Sequence, residues 1–395
     1  MQAMKFAFFA NTDWYLYNFR LSTALRLRKD GHEVVMLSPP GSFGERFAAH
    51  GLRWVALPMM DRASLNPLRE AATLYQLATV LRREQPDLLH NFTVKCAVYG
   101  ALAARIARVP ATVNAVAGMG YVFTSDKLKA RALRPLVKTL LRLALDSKRS
   151  LLVLQNPDDA AMFCTAGLIS PEKIRVILSS GVNTARFQPA RHASHHRHAR
   201  LRVLLAARLL REKGIQEFAD AAALLRRWGR DVEFVLAGTP DPGNPNSISA
   251  EQVRQWVDDG LVRWLGHVDD MPGLLGTVHV MALPSYYREG VPKSLIEGAA
   301  CGLALITTDR PGCREVVTRD GFDGLRVEAR NARALAKCIM QLDDDRELLT
   351  QLGMRARQKA LKDFDERIVI QKTLGVYQEL LSPLNVSVPA LRSAP

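Results

Sequence analysis

At 395 residues and 48% hydrophobic content the chain exceeds what one core usually serves, so two globular domains are expected. Its net charge of +15, from 54 basic and 39 acidic residues, favours polyanionic partners and leaves nucleic acid, anionic lipid and phosphorylated substrates all open. No apolar run reaches the roughly 18 to 20 residues that span a bilayer, Met1–Ala10 lacks the layout of a secretory signal, and Cys96, Cys164, Cys301, Cys313 and Cys338 form no C-x-x-C, which together imply a cytoplasmic chain with neither a disulfide framework nor a zinc site.

Met4–Phe9 reads as a strand, Tyr15–Lys29 as a helix stopped at Gly31, and Glu33–Leu37 as a second strand, a β-α-β opening. The loop Asn11–Trp14 has no G-x-G-x-x-G, so the fingerprint of a dinucleotide cofactor is absent and oxidoreductase chemistry loses support. Trp14–Arg20, WYLYNFR, places aromatics and Arg20 near the carboxyl end of the first strand, where open α/β sheets bind ligands; helix packing would use the same residues equally well. Asp61–Pro67 leads into a helix ending near Glu84, and strand Pro86–His90 is followed by Asn91–Lys95, so His90 and Lys95 also lie near a strand's carboxyl end. Helix Ala97–Ala107 precedes strand Ala111–Val116 and the loop Ala117–Phe123, where Gly118 and Gly120 would let backbone approach a ligand closely.

Lys127–Arg149 mixes basic residues with leucines and contains a single acid, Asp146. Leu133, Leu136, Val137, Leu140, Leu141 and Ala144 keep helical spacing, and Pro135 is expected to kink or restart the helix. Two readings stand: a helix packed on its sheet with a solvated basic face, or a segment that sets Lys127, Lys129, Arg131 and Arg134 against an anionic membrane. Leu151–Gln155 is again a strand, Asn156 caps a helix begun by Pro157, and Ile174–Leu178 closes this half. Pro189–Arg200, with His192, His195, His196 and His198, reads as a solvated linker.

The alternation restarts with strand Val203–Ala207, helix Ile215–Trp228, strand Val232–Ala237, helix Ala250–Asp258 and strand Val262–Leu265. Arg208 and Lys213 follow the first of these strands and precede its helix, a place from which both cations reach a ligand cleft. Strands Val278–Leu283 and Leu303–Thr308 flank Pro284–Gly302, PSYYREGVPKSLIEGAACG. Here Gly290 supplies backbone freedom, Pro292 suits a first helical position, and the N–H groups of Lys293, Ser294 and Leu295 mark a phosphate or diphosphate site. Glu289 at its mouth and Glu297 just inside the helix would repel phosphates unless displaced along the ligand to accept from sugar hydroxyls, and a nucleotide-sugar offers hydroxyls on both sides of its diphosphate.

Glu289 to Glu297, with the frame around them, resembles the E-x7-E element of the retaining, nucleotide-sugar-dependent glycosyltransferases of family 4, with Gly298 where that family usually has alanine. The resemblance implies the GT-B fold, two α/β Rossmann-like domains facing a cleft with a C-terminal helix returning to the first. It assigns Glu289 to the donor sugar and Glu297 to the ribose. Arg208–Gly214 is similar to the family's G-R-L-x-x-x-K-G motif, with Ala207 in place of the first glycine, which implies that Arg208 and Lys213 bind the donor diphosphate and take part in catalysis without a metal or other cofactor. Val262–Val268, with Gly266 and His267, resembles the strand that receives the nucleobase, and Gly290, Ser294 and Leu295 complete the donor set. On the acceptor side stand Arg20, Lys95, Gly118 and Gly120; the histidine that many members carry in this loop is missing here. Ser180–Pro189 is similar to the interdomain junction. The resemblance thus implies an acceptor-side domain at 1–187 with 365–381 packed back on it, a linker at 188–200, a nucleotide-sugar domain at 201–364 and a loose tail at 382–395.

Asp343–Asp345 has the D-x-D spacing by which other glycosyltransferases hold a metal, but acids between two helices read as a helix start on the surface. Asp61–Pro67 and Tyr17–Leu21 bring the chain nearest to bacterial enzymes that extend glycans on undecaprenyl diphosphate. The implied activity is transfer of a hexosyl or N-acetylhexosaminyl group from a UDP-sugar to a lipid-diphosphate-linked glycan at the cytoplasmic face of the inner membrane; in the membrane reading of Lys127–Arg149, that segment helps to hold the acceptor. A nucleotide-sugar 2-epimerase shares the architecture and is the alternative. A nucleic-acid-binding module is the alternative of another class, and it lacks any helix-turn-helix, RNP or zinc-finger pattern.

Overall fold

The computed structural model describes residues 3–61, 64, 66–116, 128–145, 147–190, 200–241 and 243–382. The chain forms two compact units, Met1–Ile177 with Val369–Pro395, and Leu178–Ile368. Each is an α/β unit built on one parallel sheet. Among the described residues no helix is long and apolar enough to cross a membrane.

In the first unit seven strands, β1 (Lys5–Phe9), β2 (Glu33–Ser38), β3 (Arg53–Ala56), β4 (Leu88–Phe92), β5 (Ala111–Val116), β6 (Ser150–Leu154) and β7 (Ile174–Val176), lie in the order β3-β2-β1-β4-β5-β6-β7. Both faces of a parallel sheet are covered by helices, which is why strands such as β1 and β6 are buried almost throughout. Phe6, Phe8 and Leu88 enter one core layer and Ala7, Phe9 and Leu89 the opposite one. Helix starts carry the expected caps: Asn66 Oδ1 accepts from Leu68 N at 3.0 Å and Asn156 Oδ1 from Asp159 N at 2.7 Å. The order reverses between β1 and β4, so the crevice outside their carboxyl ends is the ligand position for this topology.

Several sequence expectations shift here. The single helix expected over Tyr15–Lys29 is two, Asp13–Phe19 and Leu21–Lys29, broken at Arg20 with φ −129° and ψ −8°. Strand β3 and the 3-10 turn Gly44–His50 carry too little apolar period to be read in advance. Helix Leu128–Leu145 runs through Pro135 instead of restarting there; Leu141, Ala144 and Leu145 are buried, with Leu141 and Leu145 packed among Ala97, Val98 and Leu152, while Lys138 and Arg142 are exposed. That packing offsets the one backbone bond the proline gives up. Gly118, Gly120 and Lys127 lie outside the described residues, as do the side chains of Lys129, Arg131 and Arg134, the stretch 191–199 and the chain beyond 382.

The second unit has six strands, β8 (Leu201–Ala206), β9 (Val232–Ala237), β10 (Arg263–Trp264), β11 (Val280–Leu283), β12 (Ala304–Thr308) and β13 (Leu325–Val327), in the order β10-β9-β8-β11-β12-β13, with the reversal between β8 and β11. The chain enters this unit before the junction expected at 187. Val182 and Phe187 bury in its core, Val182 N donates to Phe364 O at 2.8 Å, and Thr184 Oγ1 donates to the Asp365 carboxylate. The last helix, Glu366–Leu381, then returns to the first unit, where Tyr377 is fully buried, packs on Phe6 at 5.4 Å between ring centroids and brings its hydroxyl 2.6 Å from His90 Nδ1.

Candidate active site

The reversal of strand order in the second unit brings two loops together that are far apart in sequence. Arg208 to Gly214 follows β8, and Pro284 to Pro292 follows β11. Gly214 has φ +77°, and a Cβ there would stand 2.4 Å from Pro284 O, so only glycine lets the first loop turn against the second. Tyr286 N donates to Glu212 O at 3.0 Å, which pins the contact.

Across it, Lys213 Nζ donates to Glu289 Oε2, with side-chain exposures of only 16% and 10%. Ser285 Oγ lies 2.6 Å from Glu289 Oε1 and 3.0 Å from Glu212 O, and its one proton serves the carboxylate, the stronger acceptor. Both oxygens of Glu289 are therefore held. Lys213 is accordingly not the freely exposed cation that its loop position implied. Its ammonium retains two further N–H groups beyond the one spent on Glu289. Arg208 lies at the edge of the same loop, 57% exposed, with Nη1 2.7 Å from Asp241 Oδ2 in the loop after β9, an anchor that leaves most of the guanidinium open.

The helix that follows is Lys293–Ala300, with Pro292 as its cap residue (φ −66°, ψ 125°) and not as its first helical residue, and with no side-chain cap. Ser294 and Leu295 thus fall in a first turn whose amides point out of the helix end. Glu297 is one turn in. Burial pushes its carboxyl up to about 7, with Lys293 and Arg186 pulling the other way. Among the described residues no hydrogen bond or ion pair holds that carboxyl, in contrast to Glu289. Gly266, at φ +65°, faces open space at the end of β10, and His267 beside it is exposed with Nε2 3.3 Å from Asp269.

Three residues of this site carry no signal strong enough to be picked out of the sequence. Asp241 acts through Arg208, 33 residues away, and Ser285 through Glu289, four residues on in the same loop, which only the turn of that loop folds back onto it. Gly312, in the loop after β12, has φ +90°, and a Cβ there would meet Gly290 O at 2.3 Å and Glu289 O at 2.6 Å; the Glu289 amide in turn donates to Pro311 O at 3.3 Å. This loop backs the one that carries the acid. Next to it Cys313 is fully buried, and burial, reinforced by the charge of Glu289, pushes its thiol up to about 12, so it packs as a small apolar residue. Asp343 pairs with Arg346, Asp344 with Arg230, and Asp345 caps the next helix by accepting from Leu348 N at 2.8 Å, so each acid of the D-x-D has a structural use.

Of the residues expected on the acceptor side, Lys95 is committed to structure: its Nζ donates to Asp61 O at 2.7 Å, Ser64 O at 3.2 Å and Glu70 Oε1 at 2.9 Å. Burial disfavours the Glu70 carboxylate, but hydrogen bonds from Tyr99 and Lys95 outweigh it and hold the group below its usual range. Arg20 is buried beside Tyr15 and Phe92 at the carboxyl end of β4.

Comparison with known proteins places both units. Residues 5–155 match the family model described as glycosyl transferase 4-like, and residues 200–345 the model described as glycosyl transferases group 1. The N,N'-diacetylbacillosaminyl-diphospho-undecaprenol alpha-1,3-N-acetylgalactosaminyltransferase of Campylobacter jejuni is 31% identical over 96% of this chain and 99% of its own length. The UDP-Gal:alpha-D-GlcNAc-diphosphoundecaprenol alpha-1,3-galactosyltransferase of Escherichia coli is 25% identical over 80% of this chain and 82% of its own. Among solved structures, Anabaena Alr3699/HepE in complex with UDP superposes with a TM-score of 0.76 at 19% identity, covering 96% of this chain and all of that one, a likeness of fold.

Proposed function

The chain belongs to the glycosyltransferases that join a 4-like domain to a group 1 domain, and from that premise we propose that it moves a sugar, with retention at the anomeric carbon, from a UDP-linked donor to a glycan carried on a polyprenyl diphosphate. The observation that carries the reading is the meeting at one topological switch point of Lys213 and Arg208 with Glu289 and an uncapped helix start. The further N–H groups of both cations and the first-turn amides of Ser294 and Leu295 suit a diphosphate. As the bond to the sugar breaks, negative charge grows on the departing nucleotide, and each charge-assisted hydrogen bond to it contributes about 1.5–3 kcal/mol. Two cations supply here what a divalent metal supplies elsewhere, so the reaction needs no metal in this reading. Glu289, fixed by Ser285 and Lys213, orients the donor sugar, and Glu297, whose carboxyl has no protein partner among the described residues, accepts from the ribose hydroxyls. Gly266 and His267 border the base. The relatives act on diphosphoundecaprenol-linked sugars by name, which supports the same class of acceptor here. The first unit as the acceptor's side and the cytoplasmic face of the membrane as its place belong to the same proposal and rest on the sequence reading alone.

The test is UDP release from a panel of UDP-sugars, with and without a polyprenyl-diphosphate-linked N-acetylhexosamine. Acceptor-dependent release, an α-linked product from an α-linked donor and an unchanged rate in chelator are the expected results. Interconversion of the sugar without acceptor would move the assignment to an epimerase, an inverted anomer would end the retaining reading, and loss of rate in chelator restored by manganese would end the metal-free one.

A further inference from the structure

Arg20 lies at the break between helices Asp13–Phe19 and Leu21–Lys29 and is only 7% exposed. Its Nη2 donates to the Tyr15 hydroxyl at 3.0 Å, its guanidinium sits 4.5 Å over the Phe92 ring, and its Nε is buried with no acceptor. Among the described residues no carboxylate pairs with it. The titratable groups that sense its charge are His90, held well below its usual value by burial and by Arg20 itself, and Tyr377, pushed upward by burial against the pull of Arg20; both stay neutral. A guanidinium cannot shed its charge as a buried lysine or histidine does. Left unpaired out of water it is costly, and a fold that keeps one there gains by receiving an anion.

The place fits a ligand. Phe92 ends β4, the strand beside β1 at the switch point of the first sheet, where crevices of this topology bind their ligands. Thr93, the next residue, is held at φ 78° and ψ 157°, a conformation that a non-glycine residue adopts under strain and that clusters at ligand clamps. We propose that Arg20, with the Tyr15 hydroxyl beside it, binds a phosphate-type oxyanion in this crevice, namely the diphosphate of the acceptor; the identity of the anion rests on the function proposed above, the anion site itself does not.

The experiment has two arms on the full chain. In the first, inorganic pyrophosphate is titrated in the presence of saturating UDP, which fills the donor site, and Tm is followed. Pyrophosphate raises Tm of the wild type, Arg20→Lys keeps part of the shift, and Arg20→Gln shows none while being at least as stable as the wild type without pyrophosphate, because an uncompensated buried charge has been removed. Equal shifts in the wild type and Arg20→Gln, or an Arg20→Gln chain that does not fold, would overturn the anion site. In the second, Arg20→Gln raises KM for the polyprenyl-diphosphate-linked acceptor roughly ten- to hundred-fold, leaving donor KM unchanged; an unchanged acceptor KM beside a lost pyrophosphate shift would assign the site to free phosphate compounds and overturn the acceptor claim. A wild type that turns over no lipid-linked acceptor ends the proposed function, and the first arm still decides whether Arg20 binds an anion.

Discussion

Lys213 and Glu289 each make the other's burial tolerable. Removing one leaves the other as an unpaired, largely buried charge, a loss of about 3–5 kcal/mol, so Lys213→Met and Glu289→Gln should each lower stability as well as activity. The double variant should recover most of the stability and none of the turnover, as urea denaturation and UDP release measured side by side would show. Glu297 makes the opposite prediction. A carboxyl raised to about 7 holds its proton in the folded chain over a range where the unfolded chain has lost it, so its contribution is present below the ordinary carboxylate value and fades as pH rises toward 7. Ribose hydroxyls donate to the ionised form, so donor binding should release protons and tighten between pH 6 and pH 8. In Glu297→Gln the donor affinity should be weaker and flat over that range; a variant that keeps the wild-type slope would show that another group titrates.

The loops after β8, β11 and β12 act as one body because glycines allow their backbones to touch. Gly312→Ala combines a strained φ of +90° with a Cβ in the space of Gly290 O, and it should cost about 1–3 kcal/mol and displace the loop that carries Glu289, with a drop in UDP affinity that calorimetry would read. Motif and period made the acids, the cations and the helix of this site legible in the sequence, since PSYYREGVPKSLIEGAACG states its own strand-loop-helix order. Gly312 and Ser285 were not legible: the importance of Gly312 comes from the Gly290 and Glu289 carbonyls that only the folded sheet brings near, and that of Ser285 from a loop turn that sets the Glu289 carboxylate against it. The same limit hid the break at Arg20, where the apolar period runs on while the backbone does not. For helix Leu128–Leu145 the structure supplies a packed inner face, and the basic outer face remains a proposal from sequence. Changing Lys127, Lys129, Arg131 and Arg134 together to glutamine should reduce sedimentation with anionic vesicles and raise the acceptor KM with donor affinity unchanged; unaltered vesicle binding and acceptor kinetics would leave only the packing role.

At the scale of the molecule, two sheets each reverse their order once, and each reversal carries a cation at its mouth, Arg20 in the first and Lys213 in the second. The units differ in how the chain makes them. Leu178–Ile368 is continuous, whereas the first unit needs the last helix, whose Tyr377 sits against Phe6 and His90. A fragment of residues 178–368 should therefore fold and bind UDP with nearly the affinity of the full chain, and a fragment of residues 1–177 should lack a cooperative thermal transition. A sharp transition in the latter would show that the last helix is dispensable to the core. The same feature sets a schedule for biosynthesis. The half that leaves the ribosome first is the half finished last, since roughly 200 more residues must be translated before Tyr377 emerges, a wait of roughly 10 to 40 s at bacterial elongation rates. For that interval the layer around Phe6 and Phe8 lies bare on a nascent chain while the later half is already able to close, so the newborn protein's demand for chaperones is fixed by where its final helix belongs.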